Sequence, residues 1–209
     1  MTEPGRHEFT VQSTEDVYVG RIIALRVDDV AMPGGGHARR EVVEHHGAVS
    51  IVALDDDDQV TLIHQYRHPL GRRIWELPAG LIDHLGEDPL ESAKRELVEE
   101  VGLAAEHWSA LVDVAASPGF TDEVIRVFLA TGLSAVDRER LGEEEADLVV
   151  RKVPLAEAVR MALAGEIVNG ASVSGILAAQ AVRTAGGTPR PPDAPWEDLP
   201  TRFPSRQEG

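Results

Sequence analysis

No cysteine occurs among the 209 residues, so neither disulfides nor thiol chemistry can contribute to structure or reaction. Aromatic side chains are also scarce, at 4%. A core must therefore be assembled from Val, Leu, Ile and Ala, and a hydrophobic content of 43% supplies enough of them. Positive charge is the third shortage: 20 Lys and Arg face 36 Asp and Glu, for a formal net charge of −16. Nucleic acids and anionic membranes are bound through basic surfaces, so neither is expected as a partner. An anionic ligand would depend on local arginines and bound cations. No stretch approaches the ~20 apolar residues of a membrane span. The opening MTEPGRHEFTVQ has neither a basic n-region nor an apolar run, so no signal peptide is expected, and the expected location is cytoplasmic. The length allows one domain with an extension, or two small ones. No internal repeat is visible.

The most informative stretch runs from residue 80 to 103, GLIDHLGEDPLESAKRELVEEVGL. Pro89 suits the first turn of a helix, where its missing N–H costs nothing. Gly102 suits the left-handed position just past the last turn. Between them Leu90, Ala93, Leu97 and Val101 recur at helical spacing as one apolar stripe. Glu96, Glu99 and Glu100 fall at i, i+3 and i+4, which gathers three like charges on a neighbouring face. That repulsion has a purpose if a divalent cation sits among the carboxylates, and all-oxygen ligands suit Mg²⁺ or Mn²⁺ rather than zinc. The adjacent Arg95 can grip one carboxylate in a bidentate fork. The competing reading of the same residues is a solvated acidic helix face.

Around this helix the chain alternates. FTVQ is a short edge-strand candidate, and the spacing predicts one strand from Tyr18 to Val30, followed by a glycine-rich turn. RREVVEHH and AVSIVAL are two more strands joined at Gly47. The aspartates 55–58 read as a solvated turn, since they lack the spacing and glycine of a calcium loop. His64 and His68 are four apart, with no third ligand of matching type for a zinc site. Arg67, Arg72 and Arg73 concentrate positive charge ahead of the acidic helix, as a phosphate-bearing ligand bridged by metal would require. After the helix come strand, loop (SPGFTDE) and strand, then an acidic loop, GEEEADL, entering another strand. Helices follow over Leu155–Leu163 and after Asn169 or Ser172 as cap. The proline-rich stretch from Gly186 onward is read as disordered or laid extended on another surface.

Gly80, Glu87, Arg95, Glu96, Leu97, Glu99, Glu100, Gly102 and Leu103 resemble the Nudix box, G-x5-E-x7-R-E-U-x-E-E-x-G-U, where U is a bulky apolar residue. From Glu87 to Leu103 the spacing fits unadjusted. Six residues rather than five separate Gly80 from Glu87, so the strict glycine position falls on Leu81. A one-residue insertion in the loop accounts for this, because a loop accepts an insertion that a ligand helix would not. Outside the box, RREVVEHHGAV, QYRHP, WELPAG, SPGFTDE and GEIVNGASVSG resemble the ADP-ribose pyrophosphatase branch of the family, and cover roughly residues 15–185 in order.

The resemblance implies an α/β fold: a Nudix α/β/α sandwich with a mixed sheet and an N-terminal antiparallel strand extension. Residues 1–46 would form that extension in a homodimer interface, 47–185 the hydrolase domain and 186–209 a tail. It implies hydrolysis of ADP-ribose to AMP and ribose 5-phosphate with Mg²⁺, or Mn²⁺ in its place. By motif, Glu96, Glu99 and Glu100 and the carbonyl of Ala79 would hold metal. Within the acidic loop, Glu145 and then Glu144 would activate or position water, with Glu99 the next candidate. Arg40 and Glu41 would lie near the adenine, and Arg67 at the pyrophosphate. Glu76 would assist at metal or substrate, and Ser117 and Gly119 would line the terminal ribose. The alternatives are hydrolysis of another nucleoside-diphosphate sugar, such as GDP-mannose or ADP-glucose, and a non-catalytic ADP-ribose sensor. Sensors of this fold often lose the box glutamates or carry a basic DNA-binding domain; here the glutamates are complete and no such segment is visible.

Overall fold

A computed structural model describes residues 5–84, 86–137 and 147–206. Its elements, in order, are β1 (Val11–Val19), β2 (Ile23–Ala31), β3 (His37–His45), β4 (Ala48–Ala53), β5 (Gln59–Arg67), β6 (Arg72–Glu76) and β7 (Ala79–Leu81). Then come α1 (Pro89–Val101), β8 (Leu103–Ala115), β9 (Val124–Ala135), β10 (Val149–Pro154), α2 (Leu155–Leu163), α3 (Gly170–Ala185) and α4 (Arg202–Ser205). The chain divides into two compact units.

The larger unit spans Ala48–Val114 and Val124–Glu197. Its four-stranded sheet, in order β7-β4-β9-β8, is mixed: β4 runs parallel to β9 and antiparallel to β7. Every residue of β4 is buried, as a central strand covered on both faces requires. Val49, Ile51 and Ala53 face one way and pack with Ala93 and Leu97 of α1 and with Phe128 and Ala130 of β9. Val52 and Val127 face the other way and pack with α2 and α3 through Ala158, Met161, Ile176 and Ala179. Helix, sheet and helix thus form an α/β/α sandwich. Gly175 allows α3 to sit close, since a Cβ there would come within 2.7 Å of Val127. A second sheet, β10-β5-β6, is antiparallel throughout. The turn over the aspartates is held by Asp55, whose Oδ1 accepts from the Asp57 and Gln59 N–H groups.

The smaller unit gathers the described residues of Met1–Gly47, Ala115–Glu123 and Asp198–Gly209. It is built on the antiparallel sheet β1-β2-β3. The expected single strand from Tyr18 to Val30 is corrected here: the chain reverses between Val19 and Ile23, and β1 pairs back on β2 with Val19 opposite Ala24. Gly20 sits in the reversal, packed so tightly against Tyr18 that a Cβ would meet its ring at 2.7 Å. The loop at residues 115–123 joins β3 through Val43 N–H to Phe120 O and Asp122 N–H to Val43 O. The carboxylate of Asp122 also accepts from His45 N–H.

The proline-rich stretch is ordered in part, and differs from the expectation of a wholly extended or disordered tail. In the larger unit Arg190 exchanges both backbone hydrogen bonds with Ala110, an extended strap beside β8. In the smaller unit Phe203, in the single turn of α4, is fully buried against His46. The Glu44 carboxylate, 0% exposed, takes Arg26, Arg202 and Arg206 as partners. Among the described residues no helix is long and apolar enough to cross a membrane.

Candidate active site

The site is assembled on α1 of the larger unit. Asp88 caps the helix, its carboxylate accepting from Leu90 N–H, and Pro89 occupies the first turn. At the other end Gly102 adopts the left-handed conformation, φ 66°. The Leu90, Ala93, Leu97 and Val101 stripe lies in the cluster against β4 and β9. That anchoring fixes the rotation of the helix, and so the direction of the neighbouring acidic face.

On this face Arg95 organises the carboxylates. Its Nε and Nη2 grip the two oxygens of Glu87 at 3.2 Å each. Its Nη1 donates to Glu96 at 2.6 Å and to Glu99 at 3.3 Å. Burial opposes the Arg95 charge, but Glu87 and Glu96 outweigh it and raise the guanidinium above its ordinary value. Glu87 is pinned a second time by the Ser92 hydroxyl, at 2.6 Å. Burial works against its ionised form, yet Arg95 and Ser92 hold it below the usual carboxylate range. The bidentate fork expected of Arg95 therefore goes to Glu87, while the same guanidinium also ties together two of the three expected metal ligands.

Glu100 is the third and the most buried, at 8% exposure. Its Oε2 accepts from the Ala79 backbone N–H at 2.8 Å. Burial, then the charges of Glu96 and Glu76, push its carboxyl up to about 8, against the Ala79 N–H and the Arg67 charge, which lower it. Burial likewise raises Glu96, helped by Glu99 and Asp83 and opposed by Arg95. Gly80, beside Ala79 in β7, lies directly under the Glu96 carboxylate, and a Cβ at that position would run into it. Gly80 thus lies against the helix at a point where no side chain would fit.

Glu76, at the end of β6, is 1% exposed and fully bonded. Gln65 and Arg67 donate to its Oε2 at 2.8 and 2.9 Å, and Asn169 donates to its Oε1 at 2.7 Å. The structure therefore brings Arg67, Glu76, Ala79, Glu96, Glu99 and Glu100 together in one unit. Arg40, Glu41, Ser117 and Gly119 belong to the smaller unit. There Arg40 and Glu41 are exposed on β3, Arg40 donating to Arg39 O, and Ser117 O accepts from Phe120 and Thr121 N–H in the loop. Glu144 and Glu145 lie outside the described residues. The sequence offers Asn169 only as one of two candidate helix caps; nothing local in it announces a bond to a residue 93 positions away.

Among the described residues no three carboxylate or imidazole groups close on a single point suited to a metal, because Arg95 holds Glu96 and Glu99 while Glu100 faces Ala79. The donors themselves nevertheless fit a hard divalent cation. They are carboxylates within one helical turn, two of them raised by burial and by like charges, an excess of negative charge that a cation relieves.

The model of the NUDIX domain matches residues 44–171. An ADP-ribose pyrophosphatase of Mycobacterium tuberculosis is 53% identical over 201 residues, 96% of this chain and 97% of that protein. A methanol dehydrogenase activator of Bacillus methanolicus is 40% identical over 147 residues, 70% of this chain and 79% of that one. A crystal structure of an ADP compounds hydrolase superposes with a TM-score of 0.76 at 25% identity, covering 88% of this chain and 99% of its own.

Proposed function

The chain belongs to the Nudix family and is a hydrolase, and on that premise we propose that it cleaves the pyrophosphate bond of ADP-ribose to AMP and ribose 5-phosphate. The observation that carries the reading is the arrangement on α1: Glu100 buried against Ala79 N–H, Glu96 seated on Gly80, and Arg95 binding the cluster together. The 53% identity over nearly the whole chain supports ADP-ribose as the substrate.

In this reading Glu96, Glu99, Glu100 and the Ala79 carbonyl hold Mg²⁺, with Mn²⁺ as a substitute. Held by these residues, a divalent cation would supply charge neutralisation at pyrophosphate oxygens and a lowered pKa for a bound water. The protein's part is positional. Arg95 does no chemistry; it fixes Glu87, Glu96 and Glu99 in place. Arg67 is aimed by Glu76 and meets the pyrophosphate, offering planar donors to phosphate oxygens. Glu145, with Glu144 second, orients the attacking water or takes its proton. Arg40 and Glu41 recognise adenine, and Ser117 and Gly119 border the terminal ribose. The working unit is a cytoplasmic homodimer in which residues 1–46 take part in the interface; seven large apolar residues exposed between Phe9 and Ile23 support that assignment.

The test is a panel of nucleotide sugars, including ADP-ribose, GDP-mannose and ADP-glucose, assayed with Mg²⁺ and after chelation. Preferred, chelator-sensitive release of AMP from ADP-ribose is expected. Preference for GDP-mannose or ADP-glucose would reassign the substrate, and binding of ADP-ribose without any turnover would make the protein a sensor.

A further inference from the structure

Glu76 is buried among three hydrogen-bond donors, two from β5 and one from the cap of α3, and the last does two tasks. The Asn169 side chain caps α3, its Oδ1 accepting from Ser172 N–H at 2.9 Å. Its Nδ2 donates to Glu76 Oε1 at 2.7 Å. The amide orientation is forced, since the Ser172 backbone N–H only donates and so takes Oδ1, which leaves Nδ2 for Glu76. The same first turn adds a second strut: Ser172, 1% exposed, accepts from Leu77 N–H through its hydroxyl at 2.9 Å. The start of α3 therefore fixes both the Glu76 side chain and the backbone that follows it.

The other carboxylate oxygen of Glu76 takes Gln65 and the Nε edge of Arg67. The Arg67 side chain is 42% exposed where Glu76 is 2%. Among the described residues its Nη groups make no further hydrogen bond. A guanidinium held by its Nε edge presents its outer edge in a fixed direction, the arrangement that two-point recognition of a phosphate needs. As a cap alone, Asn169 would be interchangeable with Ser or Asp, which rank beside it at that position. Neither can replace it against Glu76. Serine is too short to reach, and aspartate has no proton to give and adds a like charge.

We propose that Asn169 is a positioning residue: through Glu76 it fixes the direction in which Arg67 meets the substrate's pyrophosphate. This rests on the reading of Arg67 as the pyrophosphate contact. Without the amide a buried carboxylate oxygen loses its donor, and a buried carboxylate turns until it finds another. The groups able to follow it are Gln65 and Arg67, so the guanidinium leaves its aim while the helix keeps its cap.

The experiment uses Asn169→Ser, with Asn169→Asp as a second cap-preserving variant should the first fold poorly. Three quantities are read on the full chain: the melting temperature, the steady-state constants for ADP-ribose, and the NMR resonance of Arg67 Nε–H. The expected result is a melting temperature within a few degrees of the parent, a shifted or exchange-broadened Arg67 Nε–H, and a KM raised about tenfold, as follows when a hydrogen bond to a charged group is misplaced. The fall in kcat is expected to be smaller. An unmoved resonance with wild-type KM would show that Asn169 is a helix cap and nothing more. A moved resonance with unchanged KM would overturn the proposal too, because the aim of Arg67 would not then matter to substrate. If the parent protein turns over no ADP-ribose, the proposed function fails instead, and the resonance alone decides whether Asn169 positions Arg67.

Discussion

Gly80 and Glu96 lie so close that the glycine has no room for a side chain: a Cβ would collide with the Glu96 carboxylate. The Glu96 position is therefore set from two sides, by β7 beneath it and by Arg95 at 2.6 Å beside it. Gly80→Ala is expected to displace the carboxylate and lower kcat/KM at least about tenfold, the scale on which a misplaced active-site group costs activity. The melting temperature should fall only slightly, because the loop side of Glu96 can yield. Unchanged activity in an alanine variant with intact fold would show that Glu96 has no fixed place to keep.

The water-activating assignment is tested on the acidic loop. Glu145→Gln is expected to lower kcat by about 10²–10⁴-fold, the usual contribution of a general base, while KM stays near the parent value. Glu144→Gln should cost less. A larger loss at Glu144 would move the role by one residue, and no loss at either would pass it to Glu99.

A further prediction concerns pH and the strap beside β8. Burial raises the Asp113 carboxyl, but hydrogen bonds from Arg126 and Arg190 outweigh it and hold the group below its ordinary value. The folded pKa lies under the unfolded one, so the stabilisation is complete above about pH 4, near the unfolded aspartate value. It is lost as pH falls through the folded value. Arg126 is itself buried and also donates to the carbonyls of Ala194 and Pro195. Asp113→Asn leaves that cation without its counter-charge, at a cost of about 3 kcal/mol. Denaturant titrations of parent and variant at several pH values should converge in acid; parallel curves would show that Asp113 carries no linkage.

Phe203 is fully buried in α4 against His46. Phe203→Ala is expected to destabilise the smaller unit by about 3–5 kcal/mol, as large-to-small changes in a core do. Chemical denaturation followed by hydrogen exchange on β3 would read it. A loss below about 1 kcal/mol would mean the tail is only resting on the surface.

What the sequence disclosed tracks how local each signal is. Helix α1 was legible to the residue because its proline, its glycine and its apolar stripe all lie within fifteen positions. A cap at Asn169 or Ser172 was legible for the same reason, but the bond from Asn169 to Glu76 was not, since it joins residues distant in the chain. The reversal at Gly20 was hidden by an alternating pattern that continues across the turn, so that β1 and β2 read as one strand. The tail's proline content argued against any packed helix, a reading that the single buried turn of α4 corrects. It concealed Phe203, one apolar residue buried against His46, which is distant in the chain.

On the proposed reading the carboxylates of α1 carry the hydrolysis. That reading is tested most directly by following AMP and ribose 5-phosphate release from ADP-ribose across a range of Mg²⁺ concentrations, for the parent and for Glu100→Gln. The account predicts equimolar products from the parent with a clear Mg²⁺ requirement. For the variant it predicts a rate lower by about three orders of magnitude, since a metal's charge stabilisation is worth several kcal/mol. The variant should also be about as stable as the parent, because burial already favours the uncharged carboxyl and the amide oxygen still accepts from Ala79 N–H. A folded Glu100→Gln protein with the parent's rate and the parent's Mg²⁺ dependence would contradict the account and leave α1 a solvated acidic face.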